Sequence, residues 1–390
     1  MPLERKLRMA MAGGGHGAFI GGVHRMAAQM DGRIELVAGA FSRDPARSRS
    51  SGQAIGLPAR RIYDTVDAMI ESEASLDESE RADFVAIVTP NNEHLPMSRL
   101  ALESGFHVMC DKPLSRNLSE ARQIRDIVAK TGRLFGLTHN YLGYPMVKEA
   151  RSRVRCEDLG RLRRVVVEYP QGWLATPLET TGHKQASWRA DPEISGASGC
   201  LADIGTHAAT LAEYVTGLAI DSVAADLTSF GPDRRLDDDA SILLRLSGGA
   251  RGVLWASQIA IGEENGLNLR VYGDRGSLFW RQEEPNTLVL SELDAPRRRI
   301  RAGANDESLS ESARHACRLP SGHPEGFLEG FANVYTNYAA TLSAALANDE
   351  PSPIDLDFPG VEEGMRGMAF IDAALQSSAA NGQWTPVPED

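Results

Sequence analysis

Two stretches of this 390-residue chain hold side chains suited to moving a proton or gripping a hydroxyl. Gly199-Cys200-Leu201-Ala202-Asp203-Ile204-Gly205-Thr206-His207 reads as the opening of a helix running to Val215, with Asp203 and His207 four residues apart on one face. A carboxylate one turn from an imidazole suits proton handling, because histidine titrates near neutral pH and the carboxylate can fix its orientation. The plainer alternative is a helix-capping Asp and a packed His. No third ligand of suitable spacing accompanies the pair, which argues against a metal. The second stretch is Cys110-Asp111-Lys112-Pro113-Leu114, where a Lys between Asp and Pro could hydrogen-bond a substrate hydroxyl. Its alternative is a surface ion pair of little energetic value.

A third stretch, Met9 to Gly21, suits an anion. Lys6–Ala12 reads as a short buried strand, the glycines after it fit neither strand nor helix interior, and a helical pattern resumes at Gly22. Gly13-x-Gly15-x-x-Ala18 fits the dinucleotide fingerprint in its G-x-G-x-x-A form, in which free N–H groups and the helix dipole hold a pyrophosphate. Gly13, Gly15, Gly17, Ala18, Phe19 and Ile20 are the candidate cofactor contacts here; a glycine-rich surface turn is the alternative. The second strand ends in Ser42-Arg43, where NAD-specific folds place an acid. Asp44 comes slightly later and suits capping the next helix beside Pro45. Arg43 could pair with a 2′-phosphate, which favours NADP weakly, or could be an ordinary surface arginine.

These residues need elements to position them. Strand candidates Arg8–Ala12, Ile34–Phe41, Phe84–Thr89, His107–Cys110 and Leu134–Thr138 alternate with helical stretches Gly22–Met30, Pro45–Ile55, Val66–Ile70, Pro96–Ser104 and Leu118–Thr131. Near-continuous apolar strands separated by helices predict a parallel sheet covered on both faces. Ligands bind beyond the carboxyl ends of such strands, so the loops at Thr89-Pro90-Asn91 with His94 and at Asp111 should line one crevice. Ser72–Arg81 reads as a solvated acidic loop. After Tyr141 a helix, Pro145–Val154, leads to seven strand candidates from Leu162 to Ser291, several separated by turn signals. That pattern predicts an α+β domain with a large, mostly antiparallel open sheet. Arg297–Pro320 reads as a mobile surface loop, and helices Glu325–Ala347 and Gly360–Ala380 follow.

Composition narrows the class. The length predicts two domains, 1–140 and 141–390. With 42% hydrophobic and 24% charged residues the chain is globular, and its net charge of −12 argues against nucleic acid or an anionic membrane as partner. No apolar run spans a bilayer and no signal peptide is evident. Cys110, Cys156, Cys200 and Cys317 are widely spaced, which predicts reduced thiols and a cytoplasmic protein.

Together these pieces resemble the Gfo/Idh/MocA family, named for glucose–fructose oxidoreductase, inositol dehydrogenase and a rhizopine-catabolism protein. Four features match in order: the glycine loop, Thr89-Pro90-Asn91 with His94, Asp111-Lys112-Pro113 as a version of Glu-Lys-Pro, and Asp203-x-Gly-x-His207. The likeness spans nearly the whole chain, and it implies an N-terminal Rossmann domain and a C-terminal α+β domain. It implies that Lys112 touches nicotinamide ribose and substrate, that His207 is the general base, and that Asp203 binds a substrate hydroxyl and holds His207. Thr89, Pro90, Asn91 and His94 would pack around the cofactor together with Asp111 and Pro113, and Trp188-Arg189 would lie near the nicotinamide. Three departures stand out: the third glycine maps to Ala18 or Gly21, Asp111 replaces the usual Glu, and Thr210 stands where many relatives have a further polar contact. Asn140, Tyr141, Trp173, His183, Lys184 and His323 are further candidates for the substrate pocket, since a sugar needs several hydrogen-bonding groups and a stacking face.

The expected activity is NAD(P)-dependent oxidation of a secondary hydroxyl of a sugar or cyclitol, or reduction of the matching ketone, by a homodimer or homotetramer. The rivals are a redox-neutral enzyme that uses bound NAD for transient oxidation in glycoside elimination or hydrolysis, and a non-catalytic cofactor-binding sensor.

Overall fold

The computed structural model describes Leu3 and residues 5–389, in two units. The first comprises the chain through Ser115 with Ser119–Asn140 and Phe331–Gly364; the second comprises Arg116–Leu118, Tyr141–Gly330 and the chain from Met365 on.

From Leu7 to Leu137 the chain alternates β1 (Leu7–Gly13), α1 (Phe19–Gln29), β2 (Ile34–Ala40), α2 (Pro45–Ala54), α3 (Val66–Ala74), β3 (Phe84–Val88), α4 (His94–Glu103), β4 (His107–Cys110), α5 (Leu118–Thr131) and β5 (Phe135–Leu137). The strands form one sheet in the order β2-β1-β3-β4-β5, with every pair parallel. β3 and β4 are buried at every residue, as coverage on both faces requires. Parallel pairing brings all five carboxyl ends to one edge, where the glycine loop and the loops at Thr89 and Asp111 emerge. The acidic stretch from Ser72 is only partly loop. α3 runs on to Ala74 because Glu73 is buried, its carboxylate gripped by Arg61 at 2.7 Å and by the Tyr63 hydroxyl at 2.9 Å.

Beyond Tyr141 come α6 (Pro145–Arg155), β6 (Leu162–Pro170), the short α7 (Lys184–Arg189) and α8 (Pro192–Ser195), then a π-helical turn, Leu201–Gly205, running into α9 (Thr206–Thr216). β7 (Ile220–Thr228), β8 (Asp239–Leu246), β9 (Arg251–Ser257), β10 (Asn268–Gly273), β11 (Gly276–Arg281), β12 (Thr287–Glu292) and β13 (Arg298–Arg301) follow, then α10 (Glu311–His315), α11 (Phe327–Leu346), α12 (Val361–Ala379) and β14 (Thr385–Pro386). The nine strands here form one sheet, β13-β12-β11-β10-β6-β9-β8-β7-β14, parallel at β6–β9 and antiparallel elsewhere. β8 alternates buried Ala240, Ile242, Leu244 and Leu246 with exposed Ser241, Leu243 and Arg245. One face is therefore core, packed by α6 and α9, and the other is open.

Two segments depart from expectation. Arg297–Pro320 holds β13, paired with β12, and α10. Buried Leu309, Ala313 and Ala316 anchor it, and Ser310 N–H donates to the buried Glu149 carboxylate at 2.8 Å. The C-terminal boundary of 141–390 also differs, because Phe331–Gly364 packs into the first unit. Tyr335 Oη lies 2.7 Å from His24 Nδ1, the Tyr338 ring meets Phe84 at 5.3 Å, and Leu137 N–H donates to Pro359 at 2.8 Å. Local sequence carries no sign of pairings made across more than two hundred residues.

Candidate active site

In the first unit the glycine loop is built for close backbone approach. Gly13 has φ of +82°, and a Cβ there would stand 2.3 Å from the Val88 carbonyl oxygen at the end of β3. A Cβ on Gly15 would stand 2.5 Å from the Phe41 carbonyl oxygen. Gly21 takes the third-glycine role, since a Cβ there would meet Gly14 O at 2.3 Å, and its absence lets α1 pack on the loop. Ala18 is instead the N-cap of α1 and makes no side-chain cap bond, which leaves the helix start suited to an anion. Gly17 is exposed, Ile20 half-buried and Phe19 73% exposed. At the end of β2, Asp44 accepts from Ala46 N–H at 2.9 Å and Arg47 N–H at 3.2 Å, capping α2. Ser42 is half-buried and Arg43 exposed.

At the strand ends, Asp111 Oδ1 accepts from Lys112 N–H and from the Thr138 hydroxyl, both at 2.9 Å. Burial alone would raise this carboxyl. His24, whose Nε2 lies 3.9 Å from Oδ2, acts with Lys112 and His94 to hold it well below the usual carboxylate range. His139 is buried beside Lys112, and burial with that charge pushes its pKa down to about 3. Pro113 and Asn91 are buried, Pro90 and Lys112 half-buried. His94 bridges two of these loops. It is fully buried, with Nδ1 2.8 Å from the Pro113 carbonyl and Nε2 3.1 Å from the Thr89 carbonyl, so it ties the two loops together. Thr89 Oγ1 and Asn140 Nδ2 are buried without a hydrogen-bond partner. Buried polar groups are seldom left so, and these two, the uncapped α1 and the glycine cradle fit a dinucleotide laid along this edge.

In the second unit, Asp203 sits in the π-turn and His207 in the first turn of α9, so their spacing crosses a π-to-α junction rather than a uniform α-helix. Such turns recur at functional sites. Asp237 anchors the turn, accepting from the Ser198 hydroxyl, Gly199 N–H and Leu201 N–H, each at 2.8 Å. Asp203 Oδ2 accepts from Arg189 Nε at 3.1 Å and Gln258 Nε2 at 2.8 Å. Arg189 stacks on Trp188, 4.2 Å from the ring centroid, and both bond Gln185 Oε1. The Trp188-Arg189 pair thus holds the Asp203 carboxylate.

His207 is buried, with the Tyr141 ring 4.8 Å and the Tyr169 ring 6.3 Å from its own. Tyr141 is buried and its hydroxyl bonds Tyr169 and Asn265. Trp173 is half-buried, 6.4 Å from the His183 ring, while exposed His183 caps α7 through Ala186 N–H at 3.3 Å. Lys184 opens α7 and is exposed; His323 is exposed and lies 3.2 Å from the Pro320 carbonyl. Sequence reasoning missed Tyr169, Gln171, Gln258 and Asn265. All lie at the ends of β6 and β9 or just before β10, where an isolated amide looks like turn chemistry. The Pro170↔Ser257 register is what gathers them. Among the described residues no cluster of His, Cys, Asp or Glu could hold a metal, and no helix is long and apolar enough to cross a membrane.

A parallel sheet with a glycine cradle, joined in one chain to an α+β unit with a buried His beside a held carboxylate, defines an NAD-binding oxidoreductase architecture. Comparison with known proteins agrees: residues 7–139 match the oxidoreductase family model with an NAD-binding Rossmann fold, and residues 147–279 match the GFO/IDH/MocA C-terminal domain. The chain belongs to the GFO/IDH/MocA family of oxidoreductases. It is 30% identical to the uncharacterized oxidoreductase YfiI of Bacillus subtilis, over 98% of this chain and 97% of that one. It is 26% identical to levoglucosan dehydrogenase of Pseudarthrobacter phenanthrenivorans, over 78% of this chain and 80% of that one. An inositol dehydrogenase homolog from Azotobacter vinelandii, solved with NAD+ and with NADH and myo-inositol, is 33% identical with 98% of both chains covered, at TM-scores of 0.94 and 0.90.

Proposed function

We propose that this protein oxidises a secondary hydroxyl of a sugar or cyclitol, or reduces the matching ketone, with a nicotinamide dinucleotide as redox partner. The observation that carries the reading is a buried His207 four residues along the chain from an Asp203 carboxylate gripped by Arg189 and Gln258. His207 accepts the hydroxyl proton as the carbon is oxidised. Asp203, held by Arg189 and Gln258, receives a second substrate hydroxyl and favours the imidazolium that forms. Lys112 donates to the nicotinamide ribose and to the substrate hydroxyl. Gly13 and Gly15 admit the pyrophosphate to the backbone, and Thr89 Oγ1 and Asn140 Nδ2 supply hydrogen bonds they otherwise lack. A bound nicotinamide would supply the acceptor for the hydride that leaves the oxidised carbon. Relatives named for inositol and levoglucosan support a polyhydroxylated ring as substrate.

Asp44 is committed to capping α2, so no acid guards the end of β2, and exposed Arg43 supports acceptance of a 2′-phosphate. The open face of the nine-stranded sheet, with half-buried Val166, Val253, Trp255, Phe279 and Val289 and exposed Leu243, supports a homodimer or homotetramer assembled through it. The deciding experiment is a turnover screen of inositols, levoglucosan and free sugars with NAD and NADP, followed by nicotinamide absorbance. A substrate-dependent net change in absorbance is expected. Turnover of a glycoside with no net change would overturn the reading.

A further inference from the structure

Behind the proposed base lies a closed ring of hydrogen bonds. Tyr141 Oη is 2.5 Å from Tyr169 Oη, the Tyr169 hydroxyl donates to Asn265 Oδ1 at 2.7 Å, and Asn265 Nδ2 donates to Tyr141 Oη at 3.2 Å. The donors follow from chemistry. An amide nitrogen only donates, and Tyr169 spends its single proton on Oδ1, so the Tyr141 proton goes to Tyr169. The three bonds therefore run head to tail around a triangle. Gln171 Nε2 occupies the other side of Oδ1 at 2.8 Å, and reversing the Asn265 amide would set two amide nitrogens against each other. Burial pushes the phenols of Tyr141 and Tyr169 up, so both keep the protons the ring requires.

Each hydroxyl proton in this triangle is spent on another member, so neither phenol has a proton left to donate to a substrate. What it presents outward is an aromatic surface. The Tyr141 ring meets His207 at 79° with centroids 4.8 Å apart, and the Tyr169 ring meets it at 61° and 6.3 Å. The phenol oxygen lies on the axis of its ring, so bonds to it fix where the ring stands while the surrounding packing fixes its plane; here side chains from three separate chain segments hold the two oxygens. We propose that Tyr141, Tyr169 and Asn265 are positioning residues for His207, a hydrogen-bonded triangle that anchors two aromatic rings against the imidazole and thereby sets its rotamer. The inference rests on His207 being the base. A fully satisfied polar network inside a protein is rigid and specific, and small misplacements of a catalytic group are costly.

The test uses the full-length enzyme and Tyr169→Phe, which keeps the ring and opens the triangle. Tyr141→Phe and Asn265→Ala are parallel variants should one fold poorly. We expect kcat to fall about tenfold, substrate KM and cofactor Kd to stay near wild type, and the acid limb of the kcat pH profile to move. The nitrogen resonances of His207 in the cofactor-free enzyme should report a changed tautomer ratio. Tyr169→Phe with Asn265→Ala should cost no more than either alone, because both open the same triangle. Unchanged His207 resonances with wild-type kcat would overturn the proposal, as would a loss carried entirely by KM or by thermal stability. His207→Asn separates the two readings. If it keeps the rate and the pH limb, His207 is not the base, whereas the resonances in Tyr169→Phe still report whether the triangle positions the ring.

Discussion

The glycine-loop edge of the first unit and the His207 neighbourhood of the second, each a candidate for holding a polar molecule, are built by opposite means. The first works through backbone: missing Cβ atoms at Gly13, Gly15 and Gly21, an uncapped helix start, and loops at the ends of adjacent parallel strands. The second works through side chains drawn from Tyr141, Tyr169, Arg189, Asp203, His207, Gln258 and Asn265, each held by another. A backbone site is written in short contiguous motifs. A side-chain site is assembled by strand register and leaves little trace in any one stretch.

That contrast can be broken most sharply at His207. His207→Ala should lower kcat by about 10²–10⁴-fold, the usual worth of a general base, while cofactor titration stays at wild type. If turnover survives, the side-chain half does not carry the chemistry. Gly13→Ala tests the backbone half. Its φ of +82° and the 2.3 Å approach to Val88 O force the loop to shift, so cofactor affinity measured by calorimetry should weaken by about tenfold or more. The His207 resonances should not move.

Acid should expose a further difference. His107 accepts from Leu134 N–H through Nδ1 at 2.8 Å, and burial with the Arg133 charge pushes its pKa down to about 4; His139 is pushed to about 3. Both belong to the first unit. The unfolded chain binds protons at these positions from about pH 6.5 downward, and the folded chain does not until much lower. Stability contributed by each neutral ring is therefore complete above pH 6.5 and lost as pH falls toward 4, at about 1.4 kcal/mol per pH unit. Denaturant unfolding followed by hydrogen exchange should show β4 and β5 losing protection first. The smallest expected effect is at Arg43: Arg43→Ala should reduce kcat/KM for NADP a few-fold and leave NAD nearly unchanged, since one exposed charge pair contributes about 1 kcal/mol or less.

Much of this was legible without coordinates. The alternating elements, the cap at Asp44 and the large antiparallel sheet followed from periodicity and turn chemistry, which act over a few residues. His94 was legible as a candidate residue, but a motif does not say that both its ring nitrogens face carbonyls. The third glycine was undecided between Ala18 and Gly21 until the approach of Gly21 to Gly14 was visible.

The chain alone determined the dinucleotide architecture and singled out Lys112, Asp203 and His207 as candidates for the chemistry, because both readings depend on residue type at short spacing. Only the tertiary structure decided what holds them. Arg189 and Gln258 reach Asp203, the Tyr141–Tyr169–Asn265 triangle backs His207, and Phe331–Gly364 joins the first unit. The physical reason is range. Backbone conformation is set by neighbours in sequence, whereas buried polar side chains must be satisfied by whatever the fold brings to them, and those partners lie tens to hundreds of residues away.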